Sequence, residues 1–108
     1  MAIFTVESGV QTAVVGAEHV LSTKTVAGVY ILRVDGSALQ GGDEVEIRMK
    51  TRVVTGGDSR TEQVATLTGP LDPPHWRSEP IPVDVEVTAT LTQTTGTARS
   101  FPWKLLRA

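Results

Sequence analysis

A run of strictly alternating side chains near the middle of the chain constrains the fold more than any other feature. From Glu44 to Val53, every even-numbered position is charged, whereas the odd-numbered positions hold Val, Ile, Met, Thr and Val. Side chains alternate between the two faces of a β-strand. The pattern therefore predicts a strand with one buried face and one face that meets water or a partner.

Composition extends this expectation to the whole chain. Val and Thr occur fifteen times each among 108 residues, and these β-branched types suit strands better than helices. The absence of cysteine excludes disulfides, thiolate zinc sites and cysteine nucleophiles. Ten basic and twelve acidic residues give a net charge of −2, which argues against a dedicated nucleic-acid-binding domain. We expect one all-β domain over residues 1–108.

Turn residues after the two clearest strands predict two hairpins. The alternating strand is followed by a turn at 55–59 and a return strand at 60–68. A second strand, Val83–Thr92, is followed by a turn at 94–96 and a return strand at 97–106. In the second strand, the expected inward residues are Val85, Val87, Ala89 and Leu91, and the expected outward residues are Glu86, Thr88, Thr90 and Thr92.

The second hairpin carries a prediction of register. A three-residue loop would place Gly96 in the left-handed conformation and set Ala89 opposite Phe101 on the buried face. Pro102 has no backbone N–H, so the last strand is expected to be an edge strand or to carry a bulge. The expected core residues of that strand are Phe101, Trp103 and Leu105.

The N-terminal third contains shorter strand candidates. These lie at 11–15, 20–26 and 28–34, and Ser37–Gln40 is expected to form a single helical turn. No stretch shows a sustained helical period. About seven to eight antiparallel strands in one domain predict a β-sandwich of jelly-roll-like architecture.

Two further segments differ from the strands. Residues 69–82 hold five of the six prolines and are expected to form a long, stiff loop. Residues 1–10 are a candidate N-terminal arm that adds a strand to a neighbouring subunit, with fraying or an edge strand within the same molecule as the alternatives.

No pattern of catalytic or metal-binding residues stands out. The only histidines, His19 and His75, are far apart in the chain and lack ligand spacing. Glu44 and Glu46 share a strand face, which is more simply explained as solvated charge than as a glycosidase pair. We expect no enzymatic activity, no catalytic residues, no cofactor and no metal.

Candidate partner-contact residues come from two places. The outward row of Arg48, Lys50 and Arg52 can be paired with acids such as Glu62, face a protein partner, or bind single-stranded nucleic acid. No aromatic residue interleaves with this row, so nucleic acid is the least favoured partner. In the Pro-rich segment, Trp76 either pins the loop to its own domain or anchors a partner. The candidate contacts are therefore Trp76, Arg77, Arg48, Lys50 and Arg52.

The expected cellular compartment is based on the lack of a secretory signal and of a membrane-spanning helix in the sequence. The first residues lack a basic region, and Glu7 interrupts a short apolar stretch, so no secretory signal is expected. No window approaches the roughly 18 consecutive apolar residues that indicate a spanning helix. We expect synthesis in a cytoplasm and no membrane partner.

Two longer stretches, together with the opening Met1-Ala2-Ile3-Phe4, carry a resemblance. These are Tyr30–Arg48, with its Val-Asp-Gly-Ser-Ala-Leu-Gln-Gly-Gly-Asp run, and Ala89–Trp103, with its Gln-Thr-Thr-Gly-Thr-Ala-Arg-Ser-Phe-Pro-Trp run. In these stretches the chain resembles small all-β virion proteins of tailed bacteriophages and related phage-like particles, and it is similar in size to their capsid decoration, or cement, proteins.

The resemblance implies a structural role on the capsid surface. The expected partners are the major capsid protein and copies of this chain in a dimer or trimer, and the expected location is the virion of a particle made in the host cytoplasm. A head–tail or tail component is the alternative within the virion. From another class, the alternative is a carbohydrate- or surface-binding β-sandwich that uses Trp76 and His75 to stack on a sugar.

Overall fold

The computed structural model describes residues 2–108, which form nine β-strands and no helix. It follows that this part of the chain has no helix suited to crossing a membrane. The strands are β1 (Phe4–Thr12), β2 (Glu18–Lys24), β3 (Gly28–Asp35), β4 (Glu44–Arg52), β5 (Arg60–Thr68), β6 (His75–Arg77), β7 (Ile81–Val83), β8 (Glu86–Thr95) and β9 (Ser100–Arg107).

The strands form two antiparallel sheets, which confirms the all-β prediction. The first sheet has the order β1-β9-β3-β6, with β7 also paired to β3, and the second has the order β2-β8-β4-β5. The chain passes between the sheets at most connections. Only β4 and β5 are both consecutive in the chain and paired with each other.

Both sheets contribute their apolar faces to one core. Tyr30 and Leu32 from the first sheet and Ile47 and Leu91 from the second are fully buried in the same cluster. The alternation in β4 is confirmed, since Val45, Ile47 and Met49 are buried between half-buried charged neighbours. The prediction for Val53 is wrong, because β4 ends at Arg52 and the Val53 side chain is 83% exposed.

The predicted β8–β9 hairpin is wrong, although the turn is located correctly. Gly96 has the expected left-handed backbone, with φ of 93°. Beyond it the chain crosses to the other sheet, so Ala89 pairs with Met49 of β4 while Phe101 pairs with Gln11 of β1. Ala89 and Phe101 are both fully buried, but they enter the core from different sheets.

The last strand is internal, which corrects the expectation of an edge strand. β9 lies between β1 and β3 in the first sheet. Its pairing with β3 ends at Val34 opposite Trp103, so Pro102, the next residue along β9, pairs only with Val10 of β1. A proline is tolerated there because the ladder on one side has already stopped.

The chain's first strand is an edge strand of its own sheet. β1 pairs with β9 along its length, with one bulge between Thr5 and Glu7. The Glu7 carboxylate also reaches the second sheet, where it accepts a hydrogen bond from Ser22 Oγ at 2.6 Å and pairs with Lys24 Nζ at 3.0 Å. The edges of the two sheets are therefore linked by polar contacts.

Two local predictions are corrected. Residues 37–38 form a simple turn, not a helical turn, and Asp35 Oδ1 accepts a hydrogen bond from the Ser37 N–H at 2.9 Å. The predicted loop at 69–82 contains two short strands, β6 and β7, which pair with opposite ends of β3. Pro80 lies between the two short strands, and it has no backbone N–H to donate to a ladder with β3.

Candidate functional site

The predicted cationic row lies on the outer face of the second sheet, and each of its members is paired with an acid. Arg48 Nε lies 2.6 Å from Glu46 Oε1. Lys50 Nζ lies 3.0 Å from Glu18 Oε2, and Arg52 Nε lies 3.0 Å from Glu86 Oε1.

Glu62, which was expected to be a partner of this row, is not one. The register between β4 and β5 shifts after Met49 opposite Gln63, so that Lys50 faces Thr61 and Glu62 has no residue opposite it. Its carboxylate instead accepts a hydrogen bond from Thr51 Oγ1 at 2.8 Å. A bulge thus moves the acid out of the position that an unbroken ladder would give it.

Two of these ion pairs link different strands of the second sheet, whereas Arg48 and Glu46 both lie on β4. Glu18 of β2 contacts Lys50 of β4 and also accepts a hydrogen bond from Thr90 Oγ1 of the intervening β8. The hydrogen bond from Lys50 is the main reason that the pKa of Glu18 is lowered, with Thr90 adding to it. The same contact covers Thr90, which is buried although it points away from the core. Partner contact by Arg48, Lys50 or Arg52 stays a prediction, with charges already compensated within the molecule.

Trp76 lies on β6 and packs against the core. It pairs with Val34 of β3, and its side chain is half-buried beside the apolar cluster. This position agrees with the pinning alternative, since the indole holds the short strand onto the first sheet. Contact of Trp76 with a partner or a sugar stays a prediction.

Arg77, the next candidate, lies on the same strand with its side chain facing outward. It belongs to a second row of cations. It pairs with Arg33 of β3, and Arg33 pairs on its other side with Lys104 of β9. All three side chains are exposed. None of them takes part in an ion pair within residues 2–108. We call Lys104, Arg33 and Arg77 the cationic row of the first sheet.

An open groove of about 320 Å³ lies beside this row. Asp35 is the one acidic residue among those that line it, and its Oδ2 lies 3.7 Å from His75 Nε2. Hydrogen bonds from Ser37 lower the pKa of Asp35, with a smaller contribution from His75. The lining residues are Arg33, Val34, Asp35, His75, Pro102, Trp103 and Lys104.

Sequence reasoning missed Arg33 and Lys104. Their outward orientation follows from alternation, because Arg33 lies between inward Leu32 and Val34, and Lys104 precedes inward Leu105. Their adjacency depends on the pairing of β3 with β9, which local alternation does not indicate.

His19 takes part in a hydrogen bond with the backbone. His19 Nε2 accepts a hydrogen bond from the Val14 N–H at 3.0 Å. No group of three or more His, Cys, Asp or Glu residues within 2–108 is placed to hold a metal ion.

Comparison with protein-family models, with curated proteins and with solved structures gave no match.

Proposed function

We propose that this chain is a non-enzymatic structural protein of a virion, a capsid decoration or cement subunit that binds the outer surface of the head. Its partners are the major capsid protein and further copies of itself, and its role is to stabilise contacts between capsid subunits. One observation carries the proposal: within residues 2–108, five of the ten exposed large apolar side chains lie at one end of the two-sheet body.

The register of the strands places these residues at the same end of their sheets. In the second sheet, Lys24 and Thr51 both pair with Val87, so the β2–β3 and β4–β5 connections leave from the same end. In the first sheet, Phe4 and Tyr30 both pair with Arg107, and the Tyr30 hydroxyl donates to the Val26 carbonyl. The exposed apolar residues of this end are Ile3, Phe4, Val26, Val53 and Val54.

Covering exposed apolar side chains with a partner lowers the free energy of the complex. Burial of apolar surface contributes roughly 25 cal/mol per Å², and contiguous exposed apolar patches mark sites of protein interaction. Val53 and Val54, at the tip of the β4–β5 hairpin, are 83% and 60% exposed. On a particle, adjacent subunits supply the covering surface, and repeated attachment around symmetric positions adds avidity.

The body is also well suited to docking without rearrangement. The N-terminal strand is paired along β9 and linked to the second sheet through Glu7. A segment that is ordered before binding loses less conformational entropy when it docks.

We infer further that the two sheets form a β-sandwich of the jelly-roll type. A jelly roll is built from eight strands in two sheets. Support comes from the strand orders, because β6 and β7 together occupy one position beside β3, which leaves eight strand positions in two four-position sheets.

The experiment uses heads assembled without this protein. Purified protein is added to them, and co-sedimentation and the temperature of head disruption are measured. We expect the protein to sediment with heads and to raise the disruption temperature. Absence of binding, or bound protein that leaves the disruption temperature unchanged, would exclude the cement function.

A further inference from the structure

The cationic row of the first sheet is energetically unfavourable in the isolated molecule. Lys104, Arg33 and Arg77 lie directly opposite one another on three neighbouring strands. Residues in such positions have Cβ atoms about 4.5–5.5 Å apart, and like charges there destabilise a sheet. A negatively charged partner would convert this repulsion into attraction.

The second sheet provides the contrast within the same molecule. Its row of Arg48, Lys50 and Arg52 is matched by Glu46, Glu18 and Glu86. The first sheet keeps its cations unmatched within residues 2–108, although the chain as a whole has more acids than bases. The unpaired cations of this row thus do not reflect a basic composition.

The groove makes part of this positively charged face concave. Arg33 and Lys104 line it together with the flat side of Pro102, and its one carboxylate, Asp35, is engaged by His75 and Ser37. The two arginines of the row offer planar guanidinium groups, which bind carboxylates through paired hydrogen bonds.

We propose that this face docks an acidic segment of a partner protein, with carboxylates of the segment bound by Arg33, Arg77 and Lys104. The identification of the partner as a capsid subunit rests on the proposed function, whereas the chemistry of the docked segment does not. A nucleic acid fits less well, because the chain carries a net charge of −2, whereas nucleic-acid-binding domains are normally markedly basic.

The first experiment measures binding of fluorescent poly-glutamate to the purified protein by anisotropy. We expect binding that weakens as salt is added, and a loss of roughly tenfold or more in affinity for Arg33→Glu. Arg60→Glu is the matched control, because it changes the net charge equally at an exposed arginine paired only with Asp58. It should leave the affinity nearly unchanged.

Folding of the variants is checked by thermal unfolding. Arg33→Glu places an acid between two cations, so its melting temperature should equal or exceed that of wild type. Lys104→Gln, which removes charge without reversing it, should weaken poly-glutamate binding in the same direction.

Several results would overturn the inference. Wild-type protein that does not bind poly-glutamate, or equal losses in Arg33→Glu and Arg60→Glu, would show that the row is not the docking site. Tighter binding to a single-stranded DNA oligonucleotide of matched charge would assign the face to nucleic acid instead.

Heads assembled without the protein separate the two proposals. If wild type and Arg33→Glu bind heads equally, the identification of the docked partner as a capsid subunit fails and the decoration function stands. If wild type does not bind heads but binds poly-glutamate through Arg33, the decoration function fails and the docking inference stands. Loss of head binding in Arg33→Glu alone supports both.

Discussion

The Asp43 carboxylate accepts a hydrogen bond from Arg99 Nε at 2.7 Å, although the two residues are 56 positions apart. The same carboxylate accepts hydrogen bonds from the backbone N–H groups of Gln40 and Thr97. Because Thr97 and Arg99 lie in the connection that carries the chain from β8 to β9, one buried side chain fixes the place where the chain changes sheets.

A second buried side chain supports this connection. Gln93 donates from Nε2 to the carbonyls of Thr95 and Thr97, and its Oε1 accepts from the Arg99 N–H at 3.0 Å. Buried polar groups whose bonds are all satisfied specify one arrangement of the backbone. These two residues therefore favour the cross-sheet path over a hairpin.

Asp43→Asn is predicted to make the protein less stable at neutral pH. Its free energy of unfolding should also fall less than that of wild type as the pH is lowered. Hydrogen bonds from Gln40 and Arg99 are the main causes of the lowered pKa of Asp43, whose ordinary value is 3.8. A lowered folded-state pKa means that the stabilisation is present above the ordinary value and is lost as the pH falls through the folded-state value. Urea unfolding between pH 7 and 3 measures this difference.

The control for this prediction is Asp58→Asn, which removes a carboxylate from a fully solvated pair with Arg60. It should leave both the stability and its pH dependence close to wild type. If Asp43→Asn and wild type lose stability in parallel on acidification, the ionised carboxylate does not hold the connection.

Ala89→Trp is predicted to overpack the core. Ala89 is fully buried on β8, between Ser22 of β2 and Met49 of β4. An indole there has no space, and overpacking costs about 1–3 kcal/mol. Chemical denaturation measures the loss, and Thr88→Trp, at a half-exposed position on the same strand, serves as the control. Equal stability of Ala89→Trp and wild type would mean that residue 89 does not face the core.

Local patterns in the sequence were sufficient for individual strands and for one hairpin. Alternation placed Val45, Ile47 and Met49 in the core, and the turn between β4 and β5 follows from its glycines. They were insufficient for the β8–β9 connection, because a buried apolar face looks the same in a hairpin and in a crossing between sheets. The difference is made by Asp43 and Gln93, whose hydrogen bonds exist only in the folded chain.

The candidate site was predictable to a similar extent. The pattern placed Arg48, Lys50 and Arg52 on one outer face, but the acids that pair with them come from other strands or depend on side-chain rotamers. The cationic row of the first sheet was missed since Arg33 and Lys104 become neighbours only when β3 pairs with β9.

The double variant Val53→Asp/Val54→Asp is predicted to fold normally and to lose binding to heads. Both side chains are exposed at the tip of the β4–β5 hairpin, so the free energy of unfolding should stay within about 0.5 kcal/mol of wild type. Charges at an apolar contact must be desolvated on docking, which opposes binding. Co-sedimentation with heads assembled without the protein measures the loss.

The matched control is Val64→Asp, at a valine that is 53% exposed on the outer face of β5 opposite Arg48. It should bind heads as wild type does, because it lies away from the apolar end. Retained binding by the double variant would place the contact elsewhere on the molecule.

Three glycine-to-alanine variants are predicted to separate the cost of backbone strain from that of steric conflict, with Gly96 in the β8–β9 connection and Gly41 and Gly42 in the β3–β4 connection. Gly96 has φ of 93°, and a Cβ atom built there collides with Oδ1 of Asp43. Gly42 has a similar φ of 88° with open space around it, and Gly41 has open space without a left-handed backbone. A left-handed conformation costs an L-residue roughly 1–2 kcal/mol.

The unfolding free energies should therefore fall in a fixed order. Gly41→Ala should be neutral or slightly stabilising, because it reduces the entropy of the unfolded chain. Gly42→Ala should show the cost of strain alone, and Gly96→Ala should lose more, since the methyl group also displaces the carboxylate that binds Arg99. Adding Asp43→Ala to Gly96→Ala should remove that extra loss, so the double variant should be less destabilised than the sum of the two single changes. Simple additivity of the two changes would show that Gly96 is not required for the approach of Asp43 to the connection.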